Sequence, residues 1–208
     1  IGHLAAAPPR RVMESWAGLG YYARARNLHA LSRHVHMTRD GVLPAEPDEL
    51  RALPGVGAYT AGAVANCTRD ADEPAIDVNV RRVLERRAGR LLTPREADAA
   101  YRRTGRGLEG RDRFLAIMDL GAMVCRAREP RCEECPLRRG CATRGPLAGE
   151  VRTRQAPFEG SFRQRRGRVM ARLRSADAVP AGELDEDALA SLVADGLAVV
   201  RRGRASLP

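Results

Sequence analysis

Four cysteines within a short stretch constrain the fold of this 208-residue chain more than any other feature. They follow the spacing C-x6-C-x2-C-x5-C and are Cys125, Cys132, Cys135 and Cys141. Thiolates this close together can surround one compact ion or cluster. Zinc sites usually show two separated C-x2-C pairs, and only Cys132 and Cys135 form such a pair. The uneven spacing therefore favours a [4Fe–4S] cluster, in which each thiolate binds one iron, over zinc or unligated cysteines.

The charge balance points to a polyanionic partner. The net charge is +10, all 36 basic residues are arginine, and the chain contains no lysine. A GC-rich genome accounts for the missing lysine but not for the excess of positive charge. Nucleic acid is favoured over a membrane, because no basic amphipathic helix and no apolar run of eighteen residues is present. The clustered cysteines indicate an intracellular metal site rather than secreted disulfides, so we expect a cytoplasmic, nucleoid-associated protein.

The pattern along the chain predicts a mainly α protein. Residues 10–145 read as helices joined by Gly/Pro turns, and residues 146–156 read as a linker after a first domain of residues 1–145. Residues 157–208 predict a small basic winged-helix-like module, with a helical appendage as the alternative. It would hold an Arg-rich helix (about 161–174), a second helix through Leu192 and two short strands around an Arg-Gly turn. Three apolar stripes at helical spacing predict core positions: Leu28, Leu31 and Val35; Val80, Val83 and Leu84; Phe114, Ile117 and Met118.

Two further segments carry candidate functional groups. Leu53, Pro54, Gly55, Val56 and Gly57 lie in sequence between two helical pieces, and the glycines allow a tight turn and close backbone approach. The second helix begins there, so its free N–H groups form a ready phosphate site.

Asp77 lies at the start of another predicted helix. Taken alone, it needs no role beyond that of an N-cap. Cys67 lies outside the cysteine pattern, and we expect it to be a small core residue.

Together, the Leu53–Gly57 turn, Asp77 with Asn79 and the cysteine spacing resemble the endonuclease III superfamily of helix-hairpin-helix DNA glycosylases. The segments Trp16–Leu28 and Met118–Cys125 are most similar to the MutY-type adenine glycosylases, and the resemblance covers about residues 4–145. It implies two α-helical lobes with double-stranded DNA bound in the cleft between them. The target base would be flipped out of the helix into a pocket.

The resemblance also assigns roles to single residues. Asp77 matches the catalytic aspartate, which stabilises the oxocarbenium-like sugar as the base leaves, and Asn79 would orient the reacting groups. Tyr59 falls where bifunctional relatives carry a Schiff-base lysine. Tyr21 matches an aromatic residue that wedges into the DNA stack, and the neighbouring Arg24 and Arg26 are candidate DNA contacts, as is the hairpin.

The absence of lysine has its own chemical consequence. A β-lyase step through a Schiff base needs an amine, and only the terminal amine of Ile1 is available in this chain. We therefore predict a monofunctional glycosylase, which removes a base and leaves the strand intact.

The sequence departs from the MutY pattern at both ends. The family's general-acid glutamate belongs to a helix upstream of Ile1, so we expect adenine excision by these residues alone to be badly impaired or absent. General acid–base catalysis typically contributes about 10²- to 10⁴-fold in rate. The tail is too short for the family's larger C-terminal domain. Its Arg-rich helix is a candidate to lie along phosphates, and a solvated basic face is the alternative.

The leading prediction is thus a monomeric adenine glycosylase acting on A opposite 8-oxoguanine or G. A thymine or uracil mismatch glycosylase is the rival within the class, and a non-catalytic DNA-binding module is the rival outside it. A winged-helix regulator with a metal sensor leaves the hairpin and Asp77 unexplained.

Overall fold

The helices that surround Asp77 belong to one of two compact units of the chain. The computed structural model describes residues 1–150 and 156–208. One unit comprises residues 44–52 and 56–150, and the other comprises residues 1–43, 53–55 and 156–208. The described chain is mainly helical, as predicted.

The unit that contains Asp77 is built from five helices and a loop. They are α4 (Pro47–Arg51), α5 (Ala58–Arg69), α6 (Val78–Ala88), α7 (Pro94–Arg103) and α8 (Gly110–Asp119), followed by a π-helical turn (Leu120–Val124) and the 3-10 turns Cys132–Glu134 and Arg138–Gly140. Its core consists of Val80, Val83, Leu84, Leu92, Ala97, Tyr101, Ile117 and Leu120. The apolar stripes predicted on α6 and α8 are confirmed as buried, apart from Met118, which is half-buried.

Side-chain caps fix where two of these helices begin. The Asp77 carboxylate accepts hydrogen bonds from two backbone N–H groups of the first turn of α6. Thr93 and Glu96 form a reciprocal capping box at the start of α7, which satisfies N–H groups that have no partner within the helix. Burial of one face of each helix then supplies most of the stability.

The second unit joins the N-terminal helices to the C-terminal segment. It contains α1 (Gly2–Ala6), α2 (Pro9–Ser15), α3 (Tyr22–Arg39), α9 (Phe162–Ser175), β1 (Val179–Pro180), a 3-10 turn (Ala181–Glu183), α10 (Glu186–Ala194), β2 (Val199–Arg201) and β3 (Arg204–Ser206). Val12, Met13 and Ala25 share its core with residues such as Met170, Leu173 and Leu192. The prediction that Leu28 is a core residue is wrong, because its side chain is 43% exposed. Val35, predicted in the same stripe, is fully buried.

The C-terminal strands form a three-stranded antiparallel sheet in the order β1-β3-β2. Arg202 and Gly203, both with positive φ, make the two-residue turn between β2 and β3. Such turns match the twist of the strands they join. The hairpin predicted around an Arg-Gly turn is confirmed, and the winged-helix-like module stays a prediction.

Helices α1–α3 belong to the same compact unit as the C-terminal segment. These helices pack with the segment from residue 156 onward, since they share one apolar core with α9 and α10. The predicted linker falls partly on residues 151–155, which lie outside the described residues, and the domain boundaries stay a prediction. None of the described helices is both long and apolar enough to span a bilayer.

Candidate active site and cysteine loop

Asp77 holds its carboxylate at the N-terminus of α6 through three hydrogen bonds. Oδ1 accepts from the backbone N–H groups of Asn79 (2.8 Å) and Val80 (2.7 Å), and Oδ2 accepts from Nδ2 of Asn79 (3.0 Å). Asp77 and Asn79 are half-buried, and Val78 between them is 77% exposed. The positive end of the helix dipole also favours a negative charge at this point. The site therefore presents a carboxylate of fixed orientation at a partly open surface.

Arg82, one turn further along α6, fixes the Asn79 side chain. Its Nη2 donates to Oδ1 of Asn79 (2.9 Å) and to the carbonyl of Gly121 (2.7 Å), while Nε donates to the carbonyl of Cys125 (2.7 Å). Burial lowers the pKa of the guanidinium from its ordinary value. A continuous set of hydrogen bonds thus runs from the cysteine loop to Asp77.

The π-helical turn after α8 approaches Asn79 closely enough to require a glycine. A Cβ on Gly121 would lie 2.9 Å from the carbonyl oxygen of Asn79 and 3.0 Å from its Cβ. Single π-helical turns within helical segments often accompany functional sites. Here the turn brings a carbonyl acceptor to Arg82 and packs the backbone against the residue that orients Asp77.

Tyr59, in the first turn of α5, faces α8 and is electrostatically coupled to Asp77. Its hydroxyl lies 3.9 Å from Sδ of Met118, and its ring lies 6.4 Å from that of Phe114. Burial, together with the negative charges of Asp77 and Cys67, raises the pKa of Tyr59 above its usual value. The phenol therefore stays neutral beside the carboxylate.

The prediction that Cys67 is a core residue is wrong. Its side chain is exposed. Ala65 and Asn66 lie on the buried side of α5, and the helical rotation of about 100° per residue turns Cys67 away from that side.

The segment that leads into Asp77 is clamped by side chains that sequence reasoning did not single out. Asn66 is fully buried and exchanges two hydrogen bonds with the backbone of Glu73, at 2.9 and 3.0 Å. Arg113 forms an ion pair with Asp72. A Cβ on Gly62 would lie 2.8 Å from the carbonyl oxygen of Pro74. These contacts fix the approach of the chain to Asp77.

The predicted hairpin turn combines a buried anchor with exposed backbone. Leu53 is 5% exposed, so its side chain anchors the turn rather than facing a ligand, whereas Pro54 and Val56 are half-buried. Gly55 and Gly57 are exposed, and Gly55 has a φ of +74°, in the region that favours glycine. Gly57 is the N-cap residue of α5 and has no side chain to accept a hydrogen bond from the first turn. The N–H groups of that turn are therefore available to an anion.

The predicted contact residues of the N-terminal segment differ in how accessible they are. Tyr21 is 68% exposed and adopts a left-handed backbone conformation at the start of α3, which is uncommon for a non-glycine residue. Arg24 is exposed, and its guanidinium lies 6.0 Å from the ring centre of Trp16. Arg26 is occupied within its own unit, because it donates to the carbonyl of Asp195 and to Oδ1 of Asn27.

The four predicted ligand cysteines line a single cavity. Arg86, Arg131, Arg138 and Arg144 line the same cavity. Cys125 directly follows the π-helical turn. Cys132 begins the first 3-10 turn and Cys135 directly follows it, while Cys141 directly follows the second 3-10 turn. The loop therefore brings together residues separated by as many as sixteen positions.

Arg86 joins this loop to α6 and is 2% exposed. Its guanidinium donates to both carboxylate oxygens of Glu150 at 2.7 Å, to the carbonyl of Arg126 at 2.8 Å and to Sγ of Cys125 at 3.6 Å. Burial lowers the pKa of Arg86, but the hydrogen bonds to Glu150 and Cys125 outweigh it, and the pKa is raised overall. A fixed positive charge thus lies beside the thiols.

Comparisons with known proteins decide the family. The model of the HhH-GPD superfamily of base excision DNA repair proteins matches residues 1–103. An adenine DNA glycosylase of Mycolicibacterium smegmatis is 39% identical over 93% of this chain and 71% of its own length. The chain belongs to the HhH-GPD superfamily. An adenine DNA glycosylase of Mycobacterium tuberculosis is 38% identical over 98% of this chain and 74% of its own length.

Solved structures agree with this HhH-GPD assignment. A non-covalent endonuclease III–DNA complex superposes with a TM-score of 0.61 at 26% identity, over 69% of this chain and 68% of the other. A thermostable thymine-DNA glycosylase gives 0.60 at 27% identity, over 68% of each chain. This HhH-GPD protein is therefore a base-excision repair DNA glycosylase with the endonuclease III type of fold.

The cysteine loop supplies four thiols as donor groups around one cavity. Among the described residues, no group of three or more His, Cys, Asp or Glu side chains is positioned to hold one metal ion. In a [4Fe–4S] cluster each thiolate binds a different iron, so the four sulfur atoms need not converge on one point. A cavity lined by four thiols and several arginines fits an anionic four-iron cluster.

Proposed function

We propose that this DNA glycosylase hydrolyses the N-glycosidic bond of adenine mispaired with 8-oxoguanine or guanine, without cutting the strand. The observation that carries the proposal is the Asp77 carboxylate, held at a half-exposed helix start by Asn79. The relatives named adenine DNA glycosylases support adenine as the base. Double-stranded DNA is the substrate that the endonuclease III complex supports.

In this mechanism, binding would flip the adenine nucleotide out of the duplex, which costs a few kcal/mol that pocket contacts offset. The exposed backbone at Gly55 and Gly57 would hold a phosphate, and Tyr21 would enter the stack beside the partner base. As the bond to adenine breaks, the Asp77 carboxylate would stabilise positive charge on the sugar. Its three hydrogen bonds hold it in one orientation, so it needs no reorganisation during the reaction.

Tyr59 supports a monofunctional reaction. It stands at the position of the Schiff-base lysine of bifunctional relatives, and burial and nearby negative charge keep its phenol neutral. The chain also contains no lysine. The abasic product would therefore keep an intact strand until alkali cleaves it.

We also propose that Cys125, Cys132, Cys135 and Cys141 hold a [4Fe–4S] cluster. When bound, the cluster would fix the shape of the loop that carries their arginine neighbours. An ultraviolet–visible spectrum with iron and sulfide analysis of anaerobically purified protein tests this assignment. About four irons per chain are expected, whereas stoichiometric zinc would contradict it.

Single-turnover excision from A:8-oxoguanine, A:G and T:G duplexes tests the proposed specificity. Asp77→Asn is the matched variant, because asparagine also caps helices well and should preserve α6. With the family's upstream helices restored, we expect excision of adenine by the wild-type sequence and a loss of at least about 10²-fold in the variant, with duplex binding retained. Excision from T:G alone would favour a thymine mismatch glycosylase, an alternative supported by the thymine-DNA glycosylase neighbour. Binding without any excision, even with the upstream helices restored, would favour a non-catalytic module.

A further inference from the structure

The β2–β3 hairpin concentrates positive charge that no carboxylate neutralises within the described chain. Arg201, Arg202 and Arg204 fall within four residues and are exposed. No Asp or Glu occurs from residue 196 to the end of the sequence. None of these three arginines takes part in an ion pair with any residue that the structure describes, although other arginines of the unit do. Arg204 donates from Nη2 to the carbonyl oxygen of Ala178 at 2.7 Å, so phosphate contact falls chiefly to Arg201 and Arg202.

The register of the hairpin makes this arrangement unfavourable for folding alone. Arg201 lies directly opposite Arg204 across the two strands, so both side chains share one face of the sheet. Like charges in directly opposed positions destabilise a strand pair. The preceding pair, Val200 with Ala205, turns a fully buried Ala205 toward the core. The sheet therefore presents its arginines to solvent, and an anionic ligand would remove the electrostatic repulsion between them.

Helix α9 differs from the hairpin, because three of its six arginines pair with carboxylates of the same unit. Arg165 pairs with Asp185 and Asp187, and Arg166 pairs with Asp195 at 2.5 Å. Arg172 pairs with Glu183 at 3.1 Å. Contact between this helix and phosphates would compete with all of these carboxylates. The prediction that the Arg-rich helix lies along phosphates is thus less well supported than a role for the hairpin.

The start of α10 is also unsuited to DNA. In helix-turn-helix proteins, the N-terminal residues of the recognition helix contact base edges in the major groove. Here the equivalent residues are Asp185, Glu186 and Asp187, and Glu186 forms no ion pair with the described chain. Their negative charges would repel a phosphate backbone at close range.

We propose that the β2–β3 hairpin is a second DNA-binding surface, in which Arg201, Arg202 and Arg204 contact the phosphate backbone of duplex DNA, while α9 and α10 stay outside the contact. This inference rests on DNA being the substrate, as in the proposed function. It assigns the C-terminal module a role in positioning the duplex rather than in reading bases, since phosphate contacts carry no sequence information directly.

The salt dependence of binding to an undamaged duplex tests the proposal. The whole chain and its Arg201→Gln/Arg202→Gln variant would be compared by fluorescence anisotropy between about 50 and 200 mM salt. Each lost phosphate contact lowers the slope of log K against log[salt] by about 0.9. We expect the slope to fall by about 2 and the affinity at 0.1 M salt to fall roughly tenfold or more, with an unchanged circular dichroism spectrum.

Two variants of the same module serve as controls. Arg168→Gln/Arg172→Gln removes the same charge from exposed positions of α9, and we expect its slope to change by less than about 0.5. Glu186→Gln removes a negative charge from α10, and we expect binding within about twofold of wild type.

Three results would each overturn the proposal. The salt slope could fall by about 2 in the α9 variant, Glu186→Gln could bind several-fold more tightly, or the slope could stay unchanged in the hairpin variant. The last result would leave the hairpin as a site for an acidic protein. Because the duplex is undamaged, the result does not depend on which base the protein excises. A hairpin variant with a reduced slope would support the proposal even if adenine were not the substrate.

Discussion

Arg82 donates a hydrogen bond of 2.9 Å to Oδ1 of Asn79, and this bond decides which way the Asn79 amide faces. With its oxygen occupied by the guanidinium, the amide presents its nitrogen to Oδ2 of Asp77 at 3.0 Å. A reversed amide would place two oxygens against each other at this position. The arginine therefore positions the carboxylate through a residue that it contacts, without reaching the substrate itself.

We expect Arg82→Gln to reduce the single-turnover excision rate by about 10²-fold, because small losses of alignment at a reacting group cost that much. Duplex affinity should stay within about threefold of wild type. Arg82→Lys is the matched control: it keeps the charge but loses the fork geometry, and we expect a similar loss. Full activity of the lysine variant would show that charge alone suffices and would contradict the positioning role.

The two hairpin glycines should respond differently to one added methyl group. A Cβ on Gly55 would lie 2.5 Å from Cβ of Asn27, at a φ of +74°, whereas Gly57 has an extended backbone and nothing within 4 Å of that position. We expect Gly55→Ala to lower the free energy of unfolding by at least about 1 kcal/mol. Gly57→Ala should leave stability within about 0.5 kcal/mol but weaken duplex binding. Urea unfolding and anisotropy measure the two effects, and equal destabilisation by both variants would contradict this account.

The ion pair between Arg86 and Glu150 should stabilise the cysteine loop strongly. Both side chains are almost fully buried, at 2% and 5% exposure, so Glu150→Gln leaves a buried positive charge without its counterion. Removing one partner of a buried pair typically costs about 3–5 kcal/mol. We expect faster release of iron to a chelator and a lower free energy of unfolding.

Glu133→Gln is the control for the Arg86–Glu150 pair. It breaks an exposed pair with Arg138 in the same loop, at 78% and 43% exposure, and should cost less than about 1 kcal/mol. Equal losses of unfolding free energy in the two variants would show that burial does not strengthen the Arg86–Glu150 pair.

Glu96 should titrate well below an ordinary glutamate. The hydrogen bond from Arg90, followed by those from the backbone and side chain of Thr93, lowers the pKa of Glu96 from 4.5 to about 2. A depressed folded pKa means that its contribution to stability is complete above about pH 4.5 and is lost as the pH falls through about 2. Carbon-detected NMR titration of the carboxyl group measures this value. We expect Arg90→Gln to move it back toward 4.5, and an ordinary pKa in the wild type would contradict the capping geometry.

The sequence was most informative where a motif depends on local spacing. The cap at Asp77, the cysteines of one loop, the core stripe of α6 and the Arg-Gly hairpin are all features of neighbouring residues. The roles of Arg82 and Arg86 could not be predicted, because in a chain with 36 arginines nothing local separates a buried guanidinium from a solvated one. The ion pairs of Arg165, Arg166 and Arg172 on α9 depend on carboxylates that lie eleven to twenty-nine positions away.

Helix α6 carries both arginines that bind Cys125: Arg82 holds its carbonyl and Arg86 contacts its sulfur, while Asp77 caps the same helix. In an α-helix, each inserted residue advances the chain by about 1.5 Å and rotates all later residues of the helix by about 100°. A single insertion or deletion between residues 77 and 86 would therefore turn one or both guanidinium groups away from the cysteine while the cap stayed in place. This stretch of the gene should tolerate replacement at exposed positions such as Val78 but almost no change of length.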